Sequence, residues 1–219
     1  MLQKAIVFID GSNIYHNLKA TGIKPSDIDF EKLSDFVCKQ FNCSRIKTIY
    51  YNSVPSIADG ETTYYSHMSF LTDLKHHQDF EVKTRKLQRN STQEQLNIIT
   101  KELEELKLCE VCQPLVETHW HDYIGKISVR EKGIDIMIAT DMISHTILND
   151  DCDRAILISG DADFIPAMDL IRKKKNVCSA SVAKGYSYNL RKEHAWFILD
   201  RGLLLENCTK NKKPREKLR

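Results

Sequence analysis

Two apolar runs in this chain end in carboxylates. Ala155-Ile156-Leu157-Ile158-Ser159 gives way to Gly160-Asp161-Ala162-Asp163, just ahead of Phe164-Ile165-Pro166, and Lys4 to Ile9 (KAIVFI) gives way to Asp10-Gly11-Ser12-Asn13. Asp135 stands inside the apolar stretch Gly133-Ile134-Asp135-Ile136-Met137-Ile138-Ala139. A carboxylate is expensive to bury there unless a cation or a donor satisfies it, so it is expected to face something polar. Converging carboxylates repel one another; one takes a proton or a cation joins them. An all-oxygen site suits Mg2+ or Mn2+, as one ion or a pair. Such an ion lowers the pKa of a bound water and offsets the charge that develops on a phosphate, so the chemistry indicated is phosphodiester hydrolysis. Each acid also has a plainer reading, Asp161 or Asp163 as a helix cap and Asp10 as the start of a turn. Asp141, six positions beyond Asp135, falls about 240° round a helix and is expected at most at the margin of the site.

The elements that must position these acids alternate. The run at Lys4–Ile9 lacks alternation and reads as a strand buried on both faces, with Ser12 or Asn13 capping the helix that follows. Asp29 reads as the cap of a second helix carrying Leu33, Phe36, Val37 and Phe41. Further along come a strand at Arg45–Asn52, a helix at Glu61–His77 and a strand at Phe80–Arg85. Lys132-Gly133 opens an apolar helix from Ile134 to Leu148. The second acid-bearing strand, a helix at Phe164–Lys174, a strand at Val177–Ala183, a short helix at Tyr188–Glu193 and an edge strand at Trp196–Leu199 complete the pattern. Alternation of this kind indicates a mostly parallel sheet with helices on both faces, and ligands bind beyond the carboxyl ends of such strands.

Residues 86–130 are the least regular part and read as an insertion, with an amphipathic helix from Thr92 to Leu108 and a short strand near Ile124–Val129. One domain over residues 1–204 and a basic, unstructured tail over 205–219 are expected. Residues 210–219 carry six basic side chains against Glu216, a net +5, so the +2 of the whole chain leaves −3 on residues 1–209. The tail can add phosphate affinity or be a solvated end. The seven scattered cysteines suit reduced thiols better than a disulfide framework. No apolar run approaches a spanning helix, and the five apolar residues before Asp10 are too few for a signal peptide, so a cytoplasmic protein is expected.

Three ordered blocks, Phe8-Ile9-Asp10-Gly11-Ser12-Asn13, then Lys132-Gly133-Ile134-Asp135 with Asp141, then Ser159-Gly160-Asp161-Ala162-Asp163-Phe164-Ile165-Pro166, resemble the NYN domain, the LabA-like branch of the PIN-like nucleases. The likeness spans Ala5 to Leu199. It implies a PIN-like three-layer α/β sandwich and a metal-dependent ribonuclease. On that resemblance Asp10, Asp135, Asp161 and Asp163 are the catalytic, metal-binding acids, with Ser12, Asn13 and Ser159 as polar supports. Lys132 would face substrate phosphate, and Arg85, at the end of a strand, would join it. RNA is the expected partner. DNA and self-association are left open.

Cys109-x2-Cys112 with His119-Trp120-His121 offers four zinc ligands, but the second pair is separated by one residue where three to five are usual, so thiols in a turn and an exposed strand compete with a zinc site. The runs Lys83, Arg85, Lys86, Arg89 and Arg172-Lys173-Lys174-Lys175 offer charge for a nucleic-acid backbone or simply a solvated face. A catalytically weak RNA-binding or scaffolding module remains the rival to a nuclease. An adhesion-type metal motif needs a hydroxyl where Ile14 stands, and a haloacid-dehalogenase site needs an acid where Ser12 stands. Neither a GxGxxG nor a Walker A pattern occurs.

Overall fold

From Ala5 onward β1 (Gln3–Asp10) is buried on both faces, and the sheet is built outward from it. The computed structural model describes residues 2–57, 60–86, 88–89, 92–127, 129–130 and 133–210, without the side chains of 88–89, 92–96, 120–127 and 129–130. After β1 come α1 (Gly11–Ala20), α2 (Phe30–Gln40), β2 (Cys43–Val54), α3 (Glu61–Lys75) and β3 (Phe80–Lys86). Next are β4 (Gln88–Arg89), α4 (Thr92–Glu105), α5 (Cys112–Ile127) and β5 (Val129–Arg130). The chain continues with α6 (Ile134–Ile143), a π turn over Ser144–Leu148, β6 (Arg154–Ile158), α7 (Ile165–Arg172), β7 (Asn176–Ser181), α8 (Tyr188–Glu193), β8 (Ala195–Ile198) and α9 (Arg201–Asn207). It divides into two compact units, residues 1–85 with 133–219 and residues 86–132.

The larger unit is a three-layer α/β fold around a six-stranded sheet of order β3-β2-β1-β6-β7-β8. The ladders joining β2, β1, β6, β7 and β8 are parallel. Alternate residues of β1 enter two separate cores, as a period of two requires. Ala5, Val7 and Ile9 pack with Leu18 of α1, Leu33 of α2 and Leu71 of α3. Ile6 and Phe8 pack with Ile138 and Met142 of α6 and Met168 of α7. Strand order reverses between β1 and β6: successive strands run outward in one direction from β1 and in the other from β6. Asp10 and Asp161 follow those two strands, at the switch point where open α/β sheets bind ligands.

Local chemistry sets the element ends. Asp29 caps α2, its Oδ1 accepting from the Glu31 and Lys32 amides at 3.1 Å each, a contribution of about 1 kcal/mol. Gly133 takes the left-handed conformation (φ 82°) ahead of α6, which a β-carbon would penalise.

The sequence reading is corrected in two places. In the smaller unit, α5 runs to Ile127 where a strand was expected, and among the described residues strand pairing is that of β4 with β5. The spacing of Trp120, Tyr123, Ile124 and Ile127 is a helical stripe that the aromatic run disguised. Residues 205–209, expected in the unstructured tail, belong to the fold: α9 runs to Asn207, Cys208 is buried, and Thr209 bridges to Ile28. Leu204 and Cys208 join the core beneath α2, which holds this stretch down; residues 211–219 lie outside those described.

Among the described residues no helix is long and apolar enough to cross a membrane. All seven cysteines are unpaired. Burial pushes the Cys178 and Cys208 thiols up to about 12 and Cys152 to about 11, so these act as small apolar core groups.

The His194 side chain is fully buried, and burial, with the Arg172 cation, lowers its pKa from 6.5. His67 is lowered as well, by burial. The folded state therefore holds both rings neutral, and the stability they contribute is complete above the unfolded value and is lost as pH falls below it. The denaturation midpoint is expected to drop between pH 7.5 and 5.5, and to drop less in His194→Gln; a midpoint that rises on acidification contradicts this.

Candidate active site

Asp10 is 4% exposed and is held from two directions. Its Oδ1 accepts from the Asn13 amide and its Oδ2 from the Ser159 hydroxyl, both at 3.0 Å. Asp10 is thus the N-cap of α1, with Ser12 and Asn13 inside the helix, because the last strand residue is still extended (φ −76°, ψ 98°) when the first helical amides appear. The Asn13 side chain is used elsewhere: its Oδ1 accepts from the Gly160 amide at 3.0 Å and from Asn17 Nδ2 at 2.8 Å. Side chains after β1 therefore hold the loop after β6, and a side chain from that loop holds Asp10. Ser12 is half-buried in the first turn of α1.

Ser159 also accepts from the Asp161 amide at 3.3 Å, and Asp161 Oδ1 accepts from the Asp163 amide at 3.0 Å. Asp161 is half-buried and caps the short turn over Ala162–Phe164, while Asp163 is exposed. Both strand-end acids therefore act as caps, which was the plainer reading of Asp161, while for Asp10 the start of a turn was expected. Gly160 sits where a β-carbon would lie 2.3 Å from the Gly185 carbonyl. Sequence reasoning missed Asn17 and Gly185, which act only through the fold: a β-carbon on Gly185, itself at φ 86°, would meet Asn17 Oδ1 at 2.6 Å.

Strand parity places Asp10 on the face covered by α6. Asp135 lies in the first turn of that helix and is exposed. Asp141 is engaged away from it, its Oδ2 accepting from the Tyr51 hydroxyl and from Lys83 Nζ, each at 2.7 Å. Tyr51 is the ladder partner of Asp10. Burial and the Asp141 carboxylate push the Tyr51 phenol far up, so it stays a donor. Arg85 is exposed, its Nη1 2.9 Å from where a Gly133 β-carbon would stand. It lines a cavity of about 350 Å³ with Gly133, Ile136, Met137, Thr140 and Asp141. Lys132 lies outside the described residues.

Three ligands on one ion lie within a few ångströms of one another. Among the described residues no three of Asp10, Asp135, Asp161 and Asp163 bring carboxylate oxygens within 4.8 Å. The group that meets this test is Asp169, Glu193 and His194. A cation already sits there, as Arg172 donates to Asp169 Oδ1 at 3.0 Å and to the Glu193 carbonyl at 2.7 Å. For the proposed zinc ligands, Cys109 and Cys112 are exposed and the Cys109 sulfur accepts from the Cys112 amide at 3.4 Å. His119 lies in α5 and does not gather with them among the described residues; the side chain of His121 lies outside those described.

The sequence matches the NYN domain family over residues 4–200. The chain belongs to the NYN domain family. That family lies within the PIN-like nuclease superfamily. The NYN match runs from before Asp10 to beyond Asp163, taking in both strands of the switch point. A solved protein of unknown function from Vibrio parahaemolyticus is similar in structure, with 17% identity, a TM-score of 0.51 and coverage of 91% of this chain and 94% of that one. At that identity the likeness concerns the NYN fold alone. A search of curated proteins finds no match.

Ser159→Ala removes a donor from a carboxylate that is 4% exposed, and is expected to lower stability by about 1–3 kcal/mol in denaturant titration. A loss below about 0.3 kcal/mol would mean that Asp10 does not depend on this bond.

Proposed function

We propose that this NYN domain is a divalent-metal-dependent endoribonuclease of the LabA-like branch, cleaving RNA by attack of a metal-activated water on the phosphodiester. The observation that carries the reading is that the two strands flanking the topological switch end in Asp10 and Asp161, cross-linked through Ser159 and Asn13. Asp10 and Asp161 would hold Mg2+ or Mn2+, with Asp135 and Asp163 acting through its waters. The donor set fits: Mg2+ is commonly held by one or two carboxylates and keeps several waters, so three acids need not converge on one point. When bound, the ion supplies an acidified water and offsets charge on the phosphate. Ser159 and the Asn13 amide orient the Asp10 carboxylate. Arg85, whose guanidinium lies at Gly133 ahead of α6, would take a phosphate oxygen together with the start of that helix, and Lys132 would add a second cation. The unpaired thiols support a reducing compartment such as the cytoplasm.

The rival reading, an RNA-binding or scaffolding module of low turnover, is favoured by one observation: both oxygens of Asp10 already accept bonds from the protein. A cleavage assay with the full chain, Mn2+ and labelled RNA or single-stranded DNA separates the two. Asp10→Asn and Asp161→Asn are expected to lose at least ~100-fold in RNA cleavage with unchanged circular dichroism. Equal cleavage by wild type and both variants would sink the nuclease reading, and RNA binding without cleavage by the wild type would establish the rival.

A further inference from the structure

On the opposite face of the sheet from Asp10, between α1, α2 and α3, lies a cavity of about 430 Å³. That volume falls in the range of sites that take small ligands. Its lining includes Tyr15, Phe30, Tyr50, Asn52, Ser66 and Phe70. Three of these form a mutually edge-packed floor, with centroid separations of 5.2 Å for Phe30–Tyr50 and 5.8 Å for both Phe30–Phe70 and Tyr50–Phe70. Such a floor is stiff; Phe30 and Tyr50 are fully buried in it, so the aromatic surface it leaves to a flat ring is that of the half-buried Phe70. Tyr15, 40% exposed, stands at the rim, with Lys19 Nζ 4.6 Å from its ring centroid.

Placement ties the cavity to the acids. The Tyr50 ring lies beneath Gly11, the residue after Asp10; a β-carbon on Gly11 would meet Tyr50 Cζ at 2.6 Å. Asn52 follows Tyr51, the ladder partner of Asp10. Parity turns Tyr50 and Asn52 to one face and Tyr51 and Asp10 to the other, so the cavity and the acids flank the same strand ends. A single strand of nucleic acid crossing those ends would bring a phosphate to one side and a base to the other. Single-stranded RNA is commonly read in this way, by bases splayed onto aromatic side chains.

The polar wall has a direction. Asn52 Oδ1 accepts from the Ser53 amide at 2.8 Å, which leaves its NH2 as the end without a partner among the described residues. An amide NH2 donates, so it takes an acceptor on the edge of a base, a carbonyl oxygen in uracil, cytosine and guanine and a ring nitrogen in adenine. The Lys19 ammonium at the rim complements a backbone phosphate.

We propose that this cavity is a nucleobase subsite of the RNA cleft, with aromatic surface from Tyr15 and Phe70 and a base-edge acceptor held by Asn52. The assignment deepens the ribonuclease reading and rests on it for the identity of the ligand.

The test is saturation-transfer NMR on the full chain in EDTA, with UMP, CMP, GMP and AMP as separate probes, and cleavage assayed separately with Mn2+. All four are expected to receive saturation at the protons of the base. Asn52→Asp, isosteric but without the NH2, is expected to weaken UMP binding about fivefold or more, and Tyr15→Ala to weaken all the bound nucleotides. Asp10→Asn, although expected to lose cleavage, should bind UMP as the wild type does. Binding of none of the four nucleotides, or wild-type binding by both Asn52→Asp and Tyr15→Ala, overturns the subsite. Saturation of UMP by a chain that cuts no RNA keeps the subsite and removes the nuclease; cleavage with no effect of either cavity variant on UMP does the reverse.

Discussion

The pairing of β1 with β6 is the constraint on which the rest of this structure depends. These strands are non-consecutive and parallel, with Ile9 opposite Ile158, and the strands on either side extend outward from them. Backbone amides and carbonyls in the interior must be paired, and two parallel neighbours satisfy both edges of β1 at once. Both faces of β1 are then covered by helices from Ala5 onward, so no polar side chain is tolerated between Ala5 and Ile9. Acids arise where the sheet stops because that is the first place where a carboxylate can find donors.

What those acids meet there is a small hydrogen-bonded lock. Asp10 takes one bond from its own helix and one from Ser159, while Asn13 returns a bond to Gly160. The glycine at 160 is required by the close approach of the Gly185 carbonyl, which leaves no space for a β-carbon. Two donors set the geometry of this buried carboxylate before any ligand arrives. Asp141 illustrates the opposite fate. Although it lies on the same helix as Asp135, it is claimed by Tyr51 and Lys83 and helps to hold α6 against the sheet.

Two different surfaces thus share one set of strand ends. On the α6 face stand carboxylates, Arg85 and a helix start; on the α1–α3 face lies an aromatic floor. The division follows from parity along β1 and β2, since Ile9 and Tyr50 enter one core while Phe8 and Tyr51 enter the other. A one-residue change of register in either strand would exchange the faces.

Much of this was legible in the chain itself. The unbroken apolar runs at Lys4–Ile9 and Ala155–Ile158 mark strands buried on both faces, and Asp29 announces its helix by local hydrogen-bonding chemistry alone. Order and spacing of the three motif blocks indicated the NYN family, which the match over residues 4–200 establishes. Misreadings arose where a local signal had two solutions. Ser12, Asn13 and Asp10 are all good caps, and only the point at which β1 leaves the sheet decides among them. The aromatic run near Trp120 suits a strand or a helix equally in composition. Periodicity, burial pattern and capping are short-range properties, so the sequence determined the elements and the family by itself. The company each side chain keeps is a long-range property: that Ser159 meets Asp10 across 149 positions, and that Asp141 meets Lys83 and not Asp135, was decided only by tertiary packing.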